Sequence, residues 1–391
     1  MDLIRRSKQR DLRVDFFRGL ALWWIYTDHI PGDVLVNYSL RNFAMCDATE
    51  IFVLLAGYSA GLAYGMKQRT HGYVSAAADV MRRAWTLYVA HLVLFMLFSA
   101  QVTYSATALN RLSYLSESRL DVLGDDPYHS ILEAVFLRFQ PSLLNILPLY
   151  IVLLVIFAAT LWLLRWPKVL LALSFALYLT VQFTHINLFE WTDGSWFFDP
   201  YAWQFLFMMG VILACAPPRM PSRAWVFDVL AVTMLLAGLV IVWVVEPRPK
   251  LLDWASASVL RVVVIEDKTS LHPTRLLSIL SLTWLCVRLI PFNAAWLRKI
   301  WSAPFILIGQ NSLPVFCAGI VLGFMARLGF EFDDSAPMQV GANLFGAIGM
   351  VAVGALAAWY RVKDRSPRPQ ETREASLPGA SLPGALGADT R

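Results

Sequence analysis

Arg13-Val-Asp-Phe-Phe-Arg-Gly-Leu-Ala-Leu-Trp-Trp-Ile-Tyr-Thr-Asp-His29 has the apolar content of a membrane helix, yet it carries Asp15, Arg18, Asp28 and His29. Ionisable groups at membrane depth are costly, so they persist where they pair, line a cavity or take part in chemistry. Arg18 and His29 are eleven residues apart. That is three helical turns plus roughly 20°, so both project from one face about 16 Å apart along the axis. Asp15 falls within roughly 40° of the same face. The bland reading has Arg18 snorkelling to one interface, Asp15 pairing with it at i,i+3, and His29 lying in the opposite headgroup layer. The functional reading is a polar seam over about half of a ~30 Å hydrocarbon core.

Working outward, the composition is that of an integral membrane protein. Of 391 residues 58% are hydrophobic and 16% charged, and the mean hydropathy is +0.55, far above a soluble domain. Fifteen Trp and twenty-four Phe suit lipid contact and interfacial belts, and the net charge of +5 reads as topology information. No basic surface interleaved with aromatics points to nucleic acid. Cys46, Cys215, Cys286 and Cys317 are scattered singly, so neither a disulfide framework nor a metal site is expected. Arg5-Arg6-Ser7-Lys8-Gln9-Arg10 leads into the first helix with no small-residue cleavage pattern, so a cleavable signal is not expected.

The fold class read from hydropathy is all-α, a polytopic bundle of about ten transmembrane helices. The spans fall near 14–31, 48–66, 78–103, 143–164, 168–185, 200–216, 224–245, 273–290, 302–327 and 338–361. Basic residues cluster before the first span, around the connection after the second, and beyond Arg361, which places both termini in the cytoplasm. The 186–199 loop lacks Lys and Arg, and 329–337 carries Glu331, Asp333 and Asp334, as expected outside. The exception is 246–272, whose Arg248, Lys250, Arg261 and Lys268 sit on the outer side; it reads as an interfacial excursion with Trp254 as an anchor. The organisation is a basic segment 1–13, a membrane domain 14–362 and a disordered Pro/Ser/Gly tail 363–391.

Several further motifs carry two readings. Asp47-Ala-Thr-Glu50 has capping-box spacing at the start of the second span; alternatively both carboxylates face the outer mouth near His29. Gly57, Gly61 and Gly65 make a smooth stripe for close helix packing. Arg82 and Arg83 open the third span, as positive-inside anchors or as ligands for a phosphate. His91 reads as a buried hydrogen-bonded histidine. Residues 130–140 are apolar and too short to cross, which suggests an interfacial or re-entrant helix. Trp191, Trp196 and Trp203 read as an aromatic belt or as a carbohydrate stacking surface. Gly309-Gln310-Asn311-Ser312-Leu313-Pro314 interrupts the ninth span, and such breaks are tolerated where protein or a watery cavity satisfies the backbone.

Arg10-Asp-Leu-Arg-Val-Asp-Phe-Phe-Arg-Gly-Leu-Ala-Leu22, Asp28-His29-Ile-Pro-Gly32, Leu40-Arg-Asn-Phe43, Asp47-Ala-Thr-Glu50-Ile-Phe-Val53, Gly57-Tyr-Ser-Ala-Gly61 and Asn311-Ser-Leu-Pro-Val-Phe-Cys317 together resemble the OpgC family. The likeness covers nearly all of the chain except the tail. The family takes its name from succinylation of osmoregulated periplasmic glucans and is similar to the acyltransferase-3 group of ten-helix membrane enzymes. The resemblance implies an arginine, ten residues and a catalytic histidine on the first helix, here Arg18 and His29. That group's paired arginines are spaced Arg-x-x-Arg, whereas Arg82 and Arg83 are adjacent.

What the resemblance implies is an O-acyltransferase of the bacterial inner membrane, with acyl-CoA, such as succinyl-CoA, as donor substrate and a glycan hydroxyl as acceptor. No bound cofactor and no nucleic-acid partner is expected. The expected catalytic residues are His29 as general base, Arg18 towards the donor, and Asp28 and Asp15 beside them. Asp47, Glu50, Arg82, Arg83, Gln310 and Asn311 are the substrate-binding candidates. The rival reading is a proton-coupled transporter or flippase using the same Asp/Arg/His seam.

Overall fold

The computed structural model describes residues 10–217, 220–245 and 267–365, which are helical and contain no strand. Helix α1 (Leu12–Asp28) starts where Asp11 accepts the Arg13 amide at 3.0 Å, satisfying a first-turn donor. Two 3-10 turns, Val34–Tyr38 and Leu40–Asn42, lead to α2 (Ala48–Ala60). A π turn, Gly61–Gly65, joins α2 to α3 (Met66–Ala108), which breaks at Gly72 with φ 81° and ψ 171°. Glycine alone adopts that backbone without strain, and Lys67 pairs with Asp79 across the break.

Three short helices follow, α4 (Ser113–Glu117), α5 (Val122–Asp125) and α6 (Pro127–Val135). The last lies in the region expected to be interfacial, with the Val135 carbonyl bonded by the Tyr88 hydroxyl at 2.9 Å. Then come α7 (Ile146–Thr160), α8 (Pro167–Thr184), α9 (Pro200–Cys215), α10 (Ala224–Val240) and α11 (Pro273–Leu289). Proline opens α8, α9 and α11 because its missing N–H costs nothing in a first turn. The chain closes with α12 (Ala303–Gln310), α13 (Ser312–Phe332) and α14 (Ala336–Arg365). The expected interruption of the ninth span is a break at Asn311 (φ −119°, ψ 38°).

Against the ten spans read from hydropathy, six helical stretches among the described residues are long and apolar enough to cross a membrane. Helices α1, α9 and α11 are only 17, 16 and 17 residues long, and the 48–108 stretch joins two runs across Gly72. Residues 1–9, Arg219, most of the 246–272 loop with Trp254, and the tail from 366 onward lie outside the described residues.

Helix α1 sits centrally, packed on α2, α12, α13 and α14. A Cβ at Gly19 would land on the Phe305 carbonyl and one at Gly309 on the Asp15 carbonyl, so the α1 and α12 backbones touch. The glycine stripe works similarly: Gly57, Gly61 and Gly65 meet α9 at Phe207, Val211 and Cys215. Small residues allow this approach where no hydrophobic effect drives helices together. The bundle has two distinct ends. At one, Arg10, Asp15, Gln310 and Arg361 come together. At the other, Asn343 near the start of α14 donates to Asp33 just beyond α1 at 2.9 Å.

Candidate functional site

The first half of α1 is tied into the bundle by its carboxylate. Asp15 accepts from Arg10 Nε at 2.5 Å and Nη2 at 2.8 Å, and from Gln310 Nε2 at 3.3 Å. The i,i+3 pairing of Asp15 with Arg18 is not made; the chain before α1 folds back and supplies Arg10 instead. Gln310 and Asn311 flank the break between α12 and α13, where Arg361 donates to the Gln310 carbonyl at 3.3 Å and to Asn311 Oδ1. Asp15, Gln310 and Asn311 thus bind α1, α12 and α14 to one another.

Arg18 reaches across to α2, donating to the Leu55 carbonyl at 2.8 Å and to Ser59 Oγ. Beside it is a cavity of about 180 Å³ lined by Arg18, Ser59, Tyr64, Arg83, Tyr150 and Ser312, with Phe52 and small residues completing the wall. Two guanidinium groups and four hydroxyls facing one small space suit an anion or a strongly polar group. Arg83 belongs to this lining, while Arg82, one residue earlier and about 100° around the helix, has an 82% exposed side chain 3.7 Å from Asp79. Ser312 stands out in the sequence only as part of the break in the ninth span and Ser59 only within the Gly57–Gly61 motif, while Tyr64 and Tyr150 carry no signal as site residues, because single hydroxyls have no spacing rule.

At the other end, the capping box forms as spaced: Asp47 Oδ1 accepts the Thr49 amide at 2.8 Å, and Glu50 Oε2 accepts the Asp47 amide at 2.9 Å. The remaining carboxylate oxygens do more than cap. Arg275 Nε donates to Glu50 Oε1 at 2.7 Å and its Nη2 to Asp47 Oδ2 at 3.1 Å, and Lys268 Nζ lies 2.5 Å from the same Asp47 oxygen. Although burial alone would raise it, Lys268 and Arg275 hold the Asp47 carboxyl well below the usual range. The segment bearing Lys268 is pinned from α8 and α9. Trp203 Nε1 donates to the Lys268 and Thr269 carbonyls at 3.1 Å, Gln182 to Ser270 at 2.7 Å, and Tyr178 to Leu271 at 3.0 Å.

Asp28 and His29 stand within electrostatic reach of this cluster: Asp47 and Lys268 act on both. His29 is the C-cap of α1. His29 Nδ1, Asp28 Oδ1 and Ser39 Oγ are buried atoms that form no well-directed hydrogen bond among the described residues, although Ser39 lies close enough to Asp28, and the Ile25 carbonyl close enough to the His29 ring, to interact with them. Buried polar atoms ordinarily find partners. Three such atoms near the end of α1 leave hydrogen-bonding capacity that a hydroxylic ligand can use.

Between the two ends, Leu22 and Ile25, four and seven residues after Arg18, are 1% and 5% exposed within the core. The polar face is therefore two sites joined by packed apolar side chains, not a continuous seam. His91 is buried, and neither of its ring nitrogens has a partner among the described residues, unlike the hydrogen-bonded histidine expected. Trp196 and Trp203 are buried too, with their indole N–H groups bonded to backbone carbonyls. Trp191 packs on His129 and Phe139. These three rings are structural supports, not an open stacking surface.

The profile of the family described as OpgC protein matches residues 10–362. The chain belongs to the OpgC family. The match takes in every element of both sites, from Arg10 and Arg18 to Arg361, and OpgC membership points to a glucan-modifying acyltransferase associated with a membrane. No curated protein and no solved structure matches the chain.

Proposed function

We propose that this OpgC-family chain is an O-acyltransferase of the bacterial inner membrane. It moves a succinyl or similar acyl group from acyl-CoA to a hydroxyl of a periplasmic or lipid-linked glucan. In this reading α1, α9 and α11 also cross the bilayer, giving ten spans with both termini cytoplasmic. Supporting that sidedness, Arg10 and Arg361 meet the same Asp15–Gln310–Asn311 layer, and basic residues concentrate at that end.

The observation that carries the reading is the buried His29 Nδ1, without a well-directed hydrogen bond among the described residues, next in sequence to Asp28 and within electrostatic reach of Asp47 and Lys268. His29 takes the proton of the acceptor hydroxyl as its oxygen attacks the thioester carbonyl. The carbon–oxygen bond forms, the carbon–sulfur bond breaks, and the departing thiolate receives the proton from the imidazolium. Asp28 orients the ring, and the ion cluster of Asp47, Glu50, Lys268 and Arg275 fixes the mouth around it. Arg18 and Arg83 hold an anionic portion of the donor in their cavity, about 16 Å below His29. An extended acyl-pantetheine arm that brings the thioester to His29 has to displace the Leu22 and Ile25 side chains, which otherwise close this face. Transport through the same face lacks a continuous polar path, since these two residues interrupt it.

The experiment is glucan acylation by purified protein supplied with succinyl-CoA, read by mass spectrometry. Addition of a succinyl mass that depends on His29 supports the reading; acylation undiminished in His29→Ala ends the base assignment.

A further inference from the structure

A second cavity, which shares no lining residue with the Arg18 cavity, lies where the 297–300 segment meets α12, α14 and the start of α1, with Leu12 and Gln310 also in its lining. Its volume is about 590 Å³, in the range of small-ligand sites. Leu297, Ile306, Leu307 and Val351 make apolar walls, and Arg298 and Lys299 stand at its edge. The Arg298 and Lys299 side chains make no ion pair or hydrogen bond among the described residues. The segment that presents them is built rigidly. The buried Ser302 hydroxyl donates to the Trp296 and Lys299 carbonyls, both at 2.8 Å, and the Trp296 and Trp301 rings stack 5.4 Å apart at 5°. Ile300 is 90% and Trp301 51% exposed at the rim. Stacked tryptophans, an exposed isoleucine and two cations unpaired among the described residues are what a protein presents at the boundary between hydrocarbon and headgroups.

We propose that this groove binds an anionic phospholipid, one acyl chain against Leu297, Ile306, Leu307 and Val351, and the headgroup phosphate between Arg298 and Lys299. The occupant follows from charge complementarity: an apolar trough ending in two cations that are uncompensated among the described residues fits an amphiphile with a negative head. A zwitterionic lipid brings a choline cation with its phosphate and so leaves the net positive charge uncompensated, and a free phosphate would leave the trough unfilled. The bound lipid ties α12 to α14 and so braces the α12 backbone against α1. This site is independent of the acyl-transfer reading and stands or falls without it.

The test is thermal unfolding of the full chain in detergent micelles, titrated with phosphatidylglycerol, phosphatidylcholine or inorganic phosphate. Phosphatidylglycerol alone is expected to raise the midpoint saturably, by roughly 3–6 °C at saturation. That rise is lost in Arg298→Ala/Lys299→Ala, and also in Ala303→Trp, which fills the trough and leaves both cations in place. The charge-preserving exchange Arg298→Lys/Lys299→Arg retains it. An equal rise with phosphatidylcholine, reproduction of the rise by inorganic phosphate, or an undiminished phosphatidylglycerol response in Ala303→Trp would each overturn the proposal.

Discussion

Arg18 on α1 and Arg83 on α3 line one cavity from two helices that belong to different parts of the sequence, and Arg18 is held there by the Leu55 carbonyl at 2.8 Å. The neighbouring Arg82 is exposed and faces Asp79. Arg83→Ala should therefore raise the KM for acyl-CoA by about tenfold or more, the scale of a lost charge-assisted hydrogen bond. Arg82→Ala should leave it within about twofold, as expected of an exposed ion pair. Steady-state kinetics with varied donor distinguish the two.

Arg275 holds the buried Glu50 and Asp47 together at 2.7 and 3.1 Å. Removing one member of a buried ion cluster strands the others without compensation, so Arg275→Ala should cost about 3–5 kcal/mol. Lys268→Ala, at a more accessible position, should cost about 1 kcal/mol. Denaturant or thermal unfolding in a fixed detergent gives the comparison. Equal small effects would mean that the capping hydrogen bonds alone hold this end of α2.

Backbone contact makes Gly57 and Gly210 sensitive to a single methyl group. Gly57→Ala should lower stability by about 1–3 kcal/mol as α2 and α9 are forced apart. Gly319→Ala, in α13 with nothing within 4 Å of a new Cβ, should be neutral or stabilising by up to about 1 kcal/mol. Unfolding midpoints of the two variants check both signs.

Asp199 caps α9 and is buried, which pushes its carboxyl up to about 6 despite the Tyr201 and Ala202 amides favouring the charged form. A carboxyl raised above its unfolded value of 3.8 gives stability that is fully present below pH 3.8 and is lost as pH rises through about 6. Its contribution should fall by up to about 3 kcal/mol across that window. Asp199→Asn keeps a capping oxygen and should remove that part of the pH dependence. Unfolding midpoints from pH 4 to 7.5 in both proteins provide the check.

Much of this arrangement is legible in the sequence where the signal is local. The Asp47–Glu50 spacing is a capping box, the Gly57, Gly61 and Gly65 stripe packs closely, and the interruption at Gln310–Asn311 divides a helix. Partners distant along the chain are not legible in that way. Glu50 and Arg275 are separated by 225 residues, and no spacing rule joins them. A hint existed in Lys268, a cation in a loop expected from the charge pattern to lie on the cation-poor side, which called for an anionic partner. Helical geometry placed Asp15 beside Arg18, but Arg10 lies in the non-helical lead to α1 and wraps back onto it. The same periodicity that aligned Arg18 with His29 also puts Leu22 and Ile25 on that face. Counting them would have revealed two sites instead of one seam. The number of spans was hardest to read, because three helices of 16 or 17 residues lie at the limit of bilayer thickness.

The central claim is that the ring of His29 removes the acceptor proton. The most direct measurement is succinyl transfer to glucan by His29→Ala, with normal membrane insertion and an unchanged unfolding midpoint shown alongside. A fall in kcat on the order of 10²–10⁴-fold with little change in KM for acyl-CoA is the predicted result. Acylation at the unaltered rate by correctly inserted His29→Ala protein would contradict the account.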